Sequence, residues 1–297
     1  MKKFLFLVIL CSIFFVSEGL VLNNALRYAG MLERNIIIFF YENNTPVWNK
    51  LRDDFLKPNI IGELKKDYLI VFLDNSVFNN VRWRYGVPSK NTLMIITPKG
   101  VEIDRINFGN ESVNLANLLQ YINSIEKHDR NYLNLKNLVI RYPDNHFFKF
   151  ELAKKYFERG FFKNSELLLI DTLTINPGFI EGYTYLARLY RITKNFNEAL
   201  SILNMAEGVI HNFDEKLTME KIKVYVEMEE PEKALLLINN FKPEDTVLKF
   251  EAKAAEIYAY LLMGNKDKAF SLYEELKVEE PSSIYSKYVE FFFRESR

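Results

Sequence analysis

An α/β domain followed by an all-α array of helical hairpins is the fold class this sequence predicts. Three observations carry that expectation. Four dense apolar runs of strand length lie before residue 110, separated by stretches with helical spacing. Beyond about residue 128 such runs stop. From there a pattern recurs, with a small residue at Ser165, Ala199, Ala234 and Ala269, spaced by 34, 35 and 35 residues. A period of that length indicates stacked two-helix units. The 297 residues suffice for two such domains.

The N-terminus reads as a targeting segment, residues 1–19. Lys2 and Lys3 form a short positive region, and Phe4 to Val16 is apolar apart from Ser12. Ser17 and Gly19 place small residues at −3 and −1 of a cleavage site after Gly19. The apolar run is too short to cross a bilayer of roughly 30 Å comfortably. The expectation is an exported protein, periplasmic or otherwise extracytoplasmic. A segment kept as an anchor is the alternative, and the only membrane association expected. Lipoprotein processing at Cys11 is disfavoured, because Leu10 precedes it where a small residue belongs.

Cys11 is the single cysteine, so removal of the segment leaves a chain with none. That excludes disulfides, thiolate nucleophiles and cysteine metal sites. Formal net charge is zero with 39 basic and 39 acidic residues, and a nucleic-acid partner, which needs a basic excess, is not expected. His128, His146 and His211 are too far apart to suggest a metal, and no phosphate loop is present. No cofactor, metal or catalytic residue is assigned.

The elements of residues 20–127 follow in order. Leu20 to Arg34 has apolar residues at helical spacing; Asn35 to Tyr41 is a buried strand; Val47 to Leu64 is helical, interrupted near Pro58. Asp67 to Asp74 is a second strand and Phe78 to Tyr85 a short helix. Thr92 to Thr97 and Val101 to Phe108 are strands joined by the turn Pro98-Lys99-Gly100, and Val113 to Ile125 closes as a helix. The order β-α-β-α-β-β-α makes a small sheet covered by helices.

That order, with Phe40-Tyr41 opening the first strand–helix turn and Lys50-Leu51 after it, Asp74 ending a strand and Tyr85-Gly86-Val87 before Thr92-Leu93, resembles the thioredoxin fold over roughly residues 30 to 125. The resemblance places Thr45 and Trp48 at the two redox cysteine positions and Asn91 at the cis-proline position. Neither Thr45 nor Trp48 can form a thiolate, so the resemblance implies a thioredoxin-like domain that is redox-inactive. The plain role for Thr45 is a cap on the helix that carries Trp48.

Residues 128–297 read as helical repeats closed by a capping helix from Pro281. Leu152-Ala153 and Leu186-Ala187 form small or apolar pairs, followed three residues on by Tyr156, Tyr190, Tyr225 and Tyr260, with Leu169, Leu203, Ile238 and Tyr273 in the second helices. These units resemble tetratricopeptide repeats, the third being weakest with Lys221-Ile222 at the pair. The resemblance implies an all-α solenoid whose first helices line a concave groove. Its groove positions include Phe147, Phe150, Lys154 and Phe157, then Arg188, Arg191, Lys223 and Tyr258. A phenylalanine-rich end beside a basic strip suits a protein or peptide partner with an apolar anchor and acidic side chains or a C-terminal carboxylate. The asparagines of the family's carboxylate clamp are lacking. Packing of those phenylalanines against the first domain, with the charges merely solvated, is the other reading.

The domain order looks like that of thioredoxin-fold chaperones with C-terminal tetratricopeptide repeats. The leading functional expectation is therefore a non-enzymatic interaction scaffold or holdase. The alternative is an enzyme or enzyme subunit binding a ligand, without cysteines, near Trp48 and Asn91.

Overall fold

The computed structural model describes residues 18–42, 45–74, 78–87, 91–108, 115–125, 129–210, 214–280, 285 and 289–290. The targeting segment, except its last two residues, and His128 and His211 lie outside them, as does most of the expected capping helix. The chain divides into two compact units, Met1–Ser165 and Glu166–Arg297.

In the first unit, α1 (Glu18–Leu32) leads into β1 (Asn35–Tyr41). Helices α2 (Pro46–Phe55) and α3 (Pro58–Asp67) follow; the expected single interrupted helix is two, each with a proline in its first turn, where the missing N–H costs nothing. Next come β2 (Tyr68–Asp74), α4 (Asn79–Arg84), β3 (Asn91–Ile96), β4 (Glu102–Phe108) and α5 (Leu115–Ile125). The strands form one sheet in the order β2-β1-β3-β4, with β1 and β2 parallel and β3 antiparallel to both β1 and β4. Strand period decides the layers. Ile36, Ile38 and Phe40 pack with Val21, Leu22, Ala25 and Ala29 of α1 and Val81 of α4 on one face. Ile37 and Phe39 pack on the other with Leu51 and Phe55 of α2, Leu64 of α3 and Leu118 and Ile122 of α5. The sheet is thus covered on both faces.

This unit extends past the 127/128 boundary expected from sequence. Helices α6 (Tyr132–Arg141) and α7 (His146–Glu158) belong to it, α6 packing on both β4 and α7. The reason is electrostatic. Asp104 of β4 is fully buried; its Oδ1 accepts from Arg159 Nη2 at 2.6 Å and its Oδ2 from Lys155 Nζ at 2.8 Å. Glu102 Oε1 accepts from Arg159 Nη2 at 2.9 Å and from Arg105 Nε at 2.9 Å. Charges buried this deeply persist only when paired on this scale. Strand β4 needs a covered edge, and α7 supplies the cations that satisfy its carboxylates.

Helix α8 (Phe162–Ile175) spans the division between units. The second unit then holds three helical pairs: α9 (Ile180–Ile192) with α10 (Phe196–Ile210), α11 (Glu215–Glu227) with α12 (Pro231–Asn240), and α13 (Thr246–Leu262) with α14 (Lys266–Glu279). The repeat period is visible in burial. Ala153 and Ser165, Ala187 and Ala199, Ile222 and Ala234, Ile257 and Ala269 are all fully buried, each pair twelve residues apart. Ser165 replaces alanine without an orphaned hydroxyl, because its Oγ donates to Ala153 O at 2.9 Å.

The backbone repeats as well. Gly160, Lys194, Glu229 and Gly264 all adopt left-handed φ, between 58° and 75°. In each case the next N–H donates to the carbonyl of the repeat tyrosine: Phe161 to Tyr156, Asn195 to Tyr190, Glu230 to Tyr225 and Asn265 to Tyr260, at 2.8–2.9 Å. This is the six-to-one bond that ends a helix in a Schellman turn. Glycine suits the left-handed position; glutamate does not. Glu229→Gly is therefore expected to stabilise the second unit by about 0.5–1 kcal/mol. An unfolding midpoint that rises at constant m-value checks it, and an unchanged or lower midpoint refutes it.

Candidate functional site

Three places collect the residues singled out by sequence. The first is the turn after β1. Thr45 Oγ1 accepts the Trp48 N–H at 3.3 Å and donates to Glu42 O at 3.2 Å, so the hydroxyl caps α2. Trp48 is 4% exposed, stacked on Tyr41 with ring centroids 4.0 Å apart. Asn91 is also buried, and its Oδ1 accepts the Glu42 N–H at 3.0 Å. The three residues hold the turn and the sheet end together. Trp48 and Asn91 present almost no surface to a ligand.

The second is α7 in the first unit. Phe150 is buried, and Phe147, Lys154 and Phe157 are half-buried. Arg130 sits over the Phe147 ring at 4.7 Å and Lys154 over the Phe150 ring at 5.2 Å. Lys154 Nζ also donates to Glu151 Oε1 at 2.8 Å. These rings are engaged with cations and core within the unit, so an open phenylalanine-rich end is not what α7 presents.

The third lies in the second unit, where α9 carries Arg188 and Arg191 and α11 carries Lys223. They meet around Glu220, a carboxylate 1% exposed that the sequence reading did not single out. Glu220 Oε1 accepts from Arg191 Nε at 2.6 Å, and Lys223 Nζ lies 3.6 Å from Oε2. Arg191 also donates to Glu227, and Lys223 pairs with Glu251 at 2.7 Å. Burial alone pulls Arg191 down, and the combined pull of Glu220 and Glu227 outweighs it, holding the guanidinium above its ordinary range. The expected basic strip is therefore corrected to a self-neutralised ladder of charges across three helices. Its neutralising partners were within reach of sequence, since Glu151 and Glu220 each stand three residues before their lysine on one helix face.

Arg188 differs from its neighbours. Its Nε is 3.8 Å from Glu220 Oε2, beyond hydrogen-bond length, and its side chain remains about a third exposed above the Tyr185 ring. It opens onto a concavity of about 180 Å³ with Glu181 and Thr184 of α9, Lys216 and Met219 of α11 and Leu248 of α13. Such a space has room for a single side chain. Tyr258 lies about three turns beyond Leu248 along α13 and packs with the Met219–Ile222 cluster.

Among the described residues no helix is long and apolar enough to cross a membrane, and no group of three or more His, Cys, Asp or Glu is placed to hold a metal ion.

No family model and no curated protein matches the chain. Solved structures do. MamA protein matches at 18% identity, over 54% of this chain and 87% of that one, with a TM-score of 0.43. A thermophilic TPR protein of Thermus thermophilus, TTC0263, matches at 19% identity over 58% and 90%, with a TM-score of 0.44. The nearly identical TPR-like repeats of a Podosopora anserina putative kinesin light chain match at 16% identity over 56% and 91%, with a TM-score of 0.45. These are likenesses of helical repeats, and the repeat character of this chain rests on its own period of buried positions and left-handed turns.

Proposed function

We propose that this chain is an exported, non-enzymatic interaction scaffold or holdase, built from a redox-inactive thioredoxin-like domain and tetratricopeptide-type hairpins. The observation that carries the reading is the Arg188 concavity. It has exposed polar residues and one under-satisfied guanidinium above a rigid, internally neutralised floor. Such a surface binds by shape and by a few directed hydrogen bonds, as a peptide groove does. The neutral floor favours a partner of balanced charge over a strongly acidic one.

The thioredoxin-like reading of the first unit is supported by the sheet order β2-β1-β3-β4, with β3 antiparallel and helices on both faces. Thr45 and Trp48 serve there as cap and core. Export is supported by the Lys2-Lys3 and Phe4–Val16 pattern. Cleavage after Gly19 would leave Val21, Leu22, Ala25 and Ala29, the buried side chains described in α1, in the mature chain.

The test is capture from envelope extract by the mature chain, beside an Arg188→Glu/Lys216→Glu variant of unchanged circular dichroism. Lys216 is exposed, and Arg188 is half-buried and only loosely paired, 3.8 Å from Glu220. A defined partner retained by the first and reduced about tenfold by the second is the expected result. Equal capture by both chains, with no suppression of aggregation of a denatured reporter protein by either, overturns both forms of the reading.

A further inference from the structure

The first unit has two tryptophans in opposite situations. Trp48 is in the core, and Trp83 at the end of α4 is 70% exposed. An indole is the side chain most often found at the energetic centre of an interface, and one left this open calls for an occupant. Trp83 stands at the rim of a recess of about 340 Å³ whose other aromatic walls are Tyr85, Tyr132 and Phe161. The recess is shaped by Gly86. A Cβ there would come 2.6 Å from the Phe161 ring, so only glycine lets Phe161 form the back wall, and its φ of +56° is one glycine adopts freely.

The charges around the recess are unequal. Its one carboxylate among the described residues, Glu102, is occupied by the Arg105 and Arg159 guanidiniums at 2.6–3.1 Å. Its two cations, Arg84 and Lys136, have no carboxylate partner among the described residues. Arg84 lies over the Tyr85 ring at 5.9 Å and Lys136 over the Tyr132 ring at 5.4 Å. Both are exposed. The recess thus joins an aromatic cavity for one side chain to two unneutralised positive groups at its mouth.

We propose that this recess is a docking site for a partner peptide carrying a large apolar or aromatic side chain beside acidic ones. The ring enters between Tyr132 and Phe161, with Trp83 closing over it, and Arg84 and Lys136 receive the carboxylates. An anionic membrane surface would meet the same cations and Trp83, but it would leave the recess behind them unfilled. A protruding peptide side chain is the occupant that fills it. The site lies wholly in the first unit and does not depend on the Arg188 concavity.

The two indole N–H signals of the 15N-labelled mature chain, with Trp83→Phe as assignment, provide the readout. The probe is acetyl-Gly-Phe-Asp-Glu-Gly-amide, with its Asn-Gln counterpart and a Phe→Gly version as controls. The expected result is a saturable shift of the Trp83 signal with Trp48 unmoved, weakened about tenfold by either control and by Arg84→Glu/Lys136→Glu. No Trp83 shift up to about 5 mM peptide, or equal shifts from the controls, overturns the proposal. So does a blue shift of Trp83 emission with phosphatidylglycerol vesicles when the peptide has no effect, which would make the patch a membrane contact.

Discussion

Arg159→Met is expected to lower the stability of the first unit by about 3–5 kcal/mol, the range for removing one partner from a buried charge cluster. The side chain is 1% exposed and serves four neighbours. It donates to Glu102 Oε1, Asp104 Oδ1 and Lys155 O, and its guanidinium lies 4.2 Å from the Tyr132 ring. Without it, Asp104 keeps, among the described residues, Lys155 Nζ and the Arg105 N–H, in a place that water does not reach. Methionine restores the apolar stem but none of the donors, so the penalty is that of a carboxylate left under-satisfied. Arg159→Lys keeps the charge and loses the fork that spans both carboxylates; about half the loss is expected. Both tryptophans of the chain, Trp48 and Trp83, lie in this unit, so their fluorescence follows its unfolding separately. A loss under about 1 kcal/mol would mean that water solvates Asp104 after all.

The sequence made the sheet legible because apolar density and strand length leave little choice. Asn35–Tyr41 was expected as a strand and is one, and the others shift by no more than one residue at either end. The hairpins were legible because small residues at 165, 199, 234 and 269 fix a period. Each of the four is fully buried against the helix before it. What stayed hidden was charge. In "VEIDRINF", Glu102 and Asp104 flank Ile103 as they would on a solvated edge strand, and nothing local says that Arg159 will cover them. That pairing spans more than fifty residues of chain, and it is what carries α6 and α7 into the first unit. The same limit applied to Arg191 and Lys223: the cations could be placed on a concave face and the local Glu220–Lys223 pair was legible, but the pairs of Arg191 with Glu220 and of Lys223 with Glu251 join α9 to α11 and α11 to α13. Cation positions follow from repeat register, whereas net surface charge depends on which carboxylates fold back upon them.

Replacing Glu220 tests that distinction. Glu220→Ala removes the carboxylate on which Arg188, Arg191 and Lys223 converge, and a loss of about 2–3 kcal/mol is expected in the second unit. The figure stands below that for Arg159. Arg191 and Lys223 are 13% and 20% exposed and keep Glu227 and Glu251, so solvent and second partners absorb part of the imbalance. No tryptophan lies in this unit, so the loss appears in the helical circular dichroism signal while the tryptophan transition stays in place. Glu220→Gln separates charge from shape. The amide oxygen still accepts from Arg191, so about half of the stability cost is expected, yet the floor of the concavity gains a full positive charge. A glutamate decapeptide that binds the wild-type surface weakly should then bind about tenfold more tightly, with the gain erased as salt shortens the screening length. An unchanged affinity with stability preserved would show that Glu220 is not what keeps this face neutral, and the Arg188 concavity would then have to be read as basic.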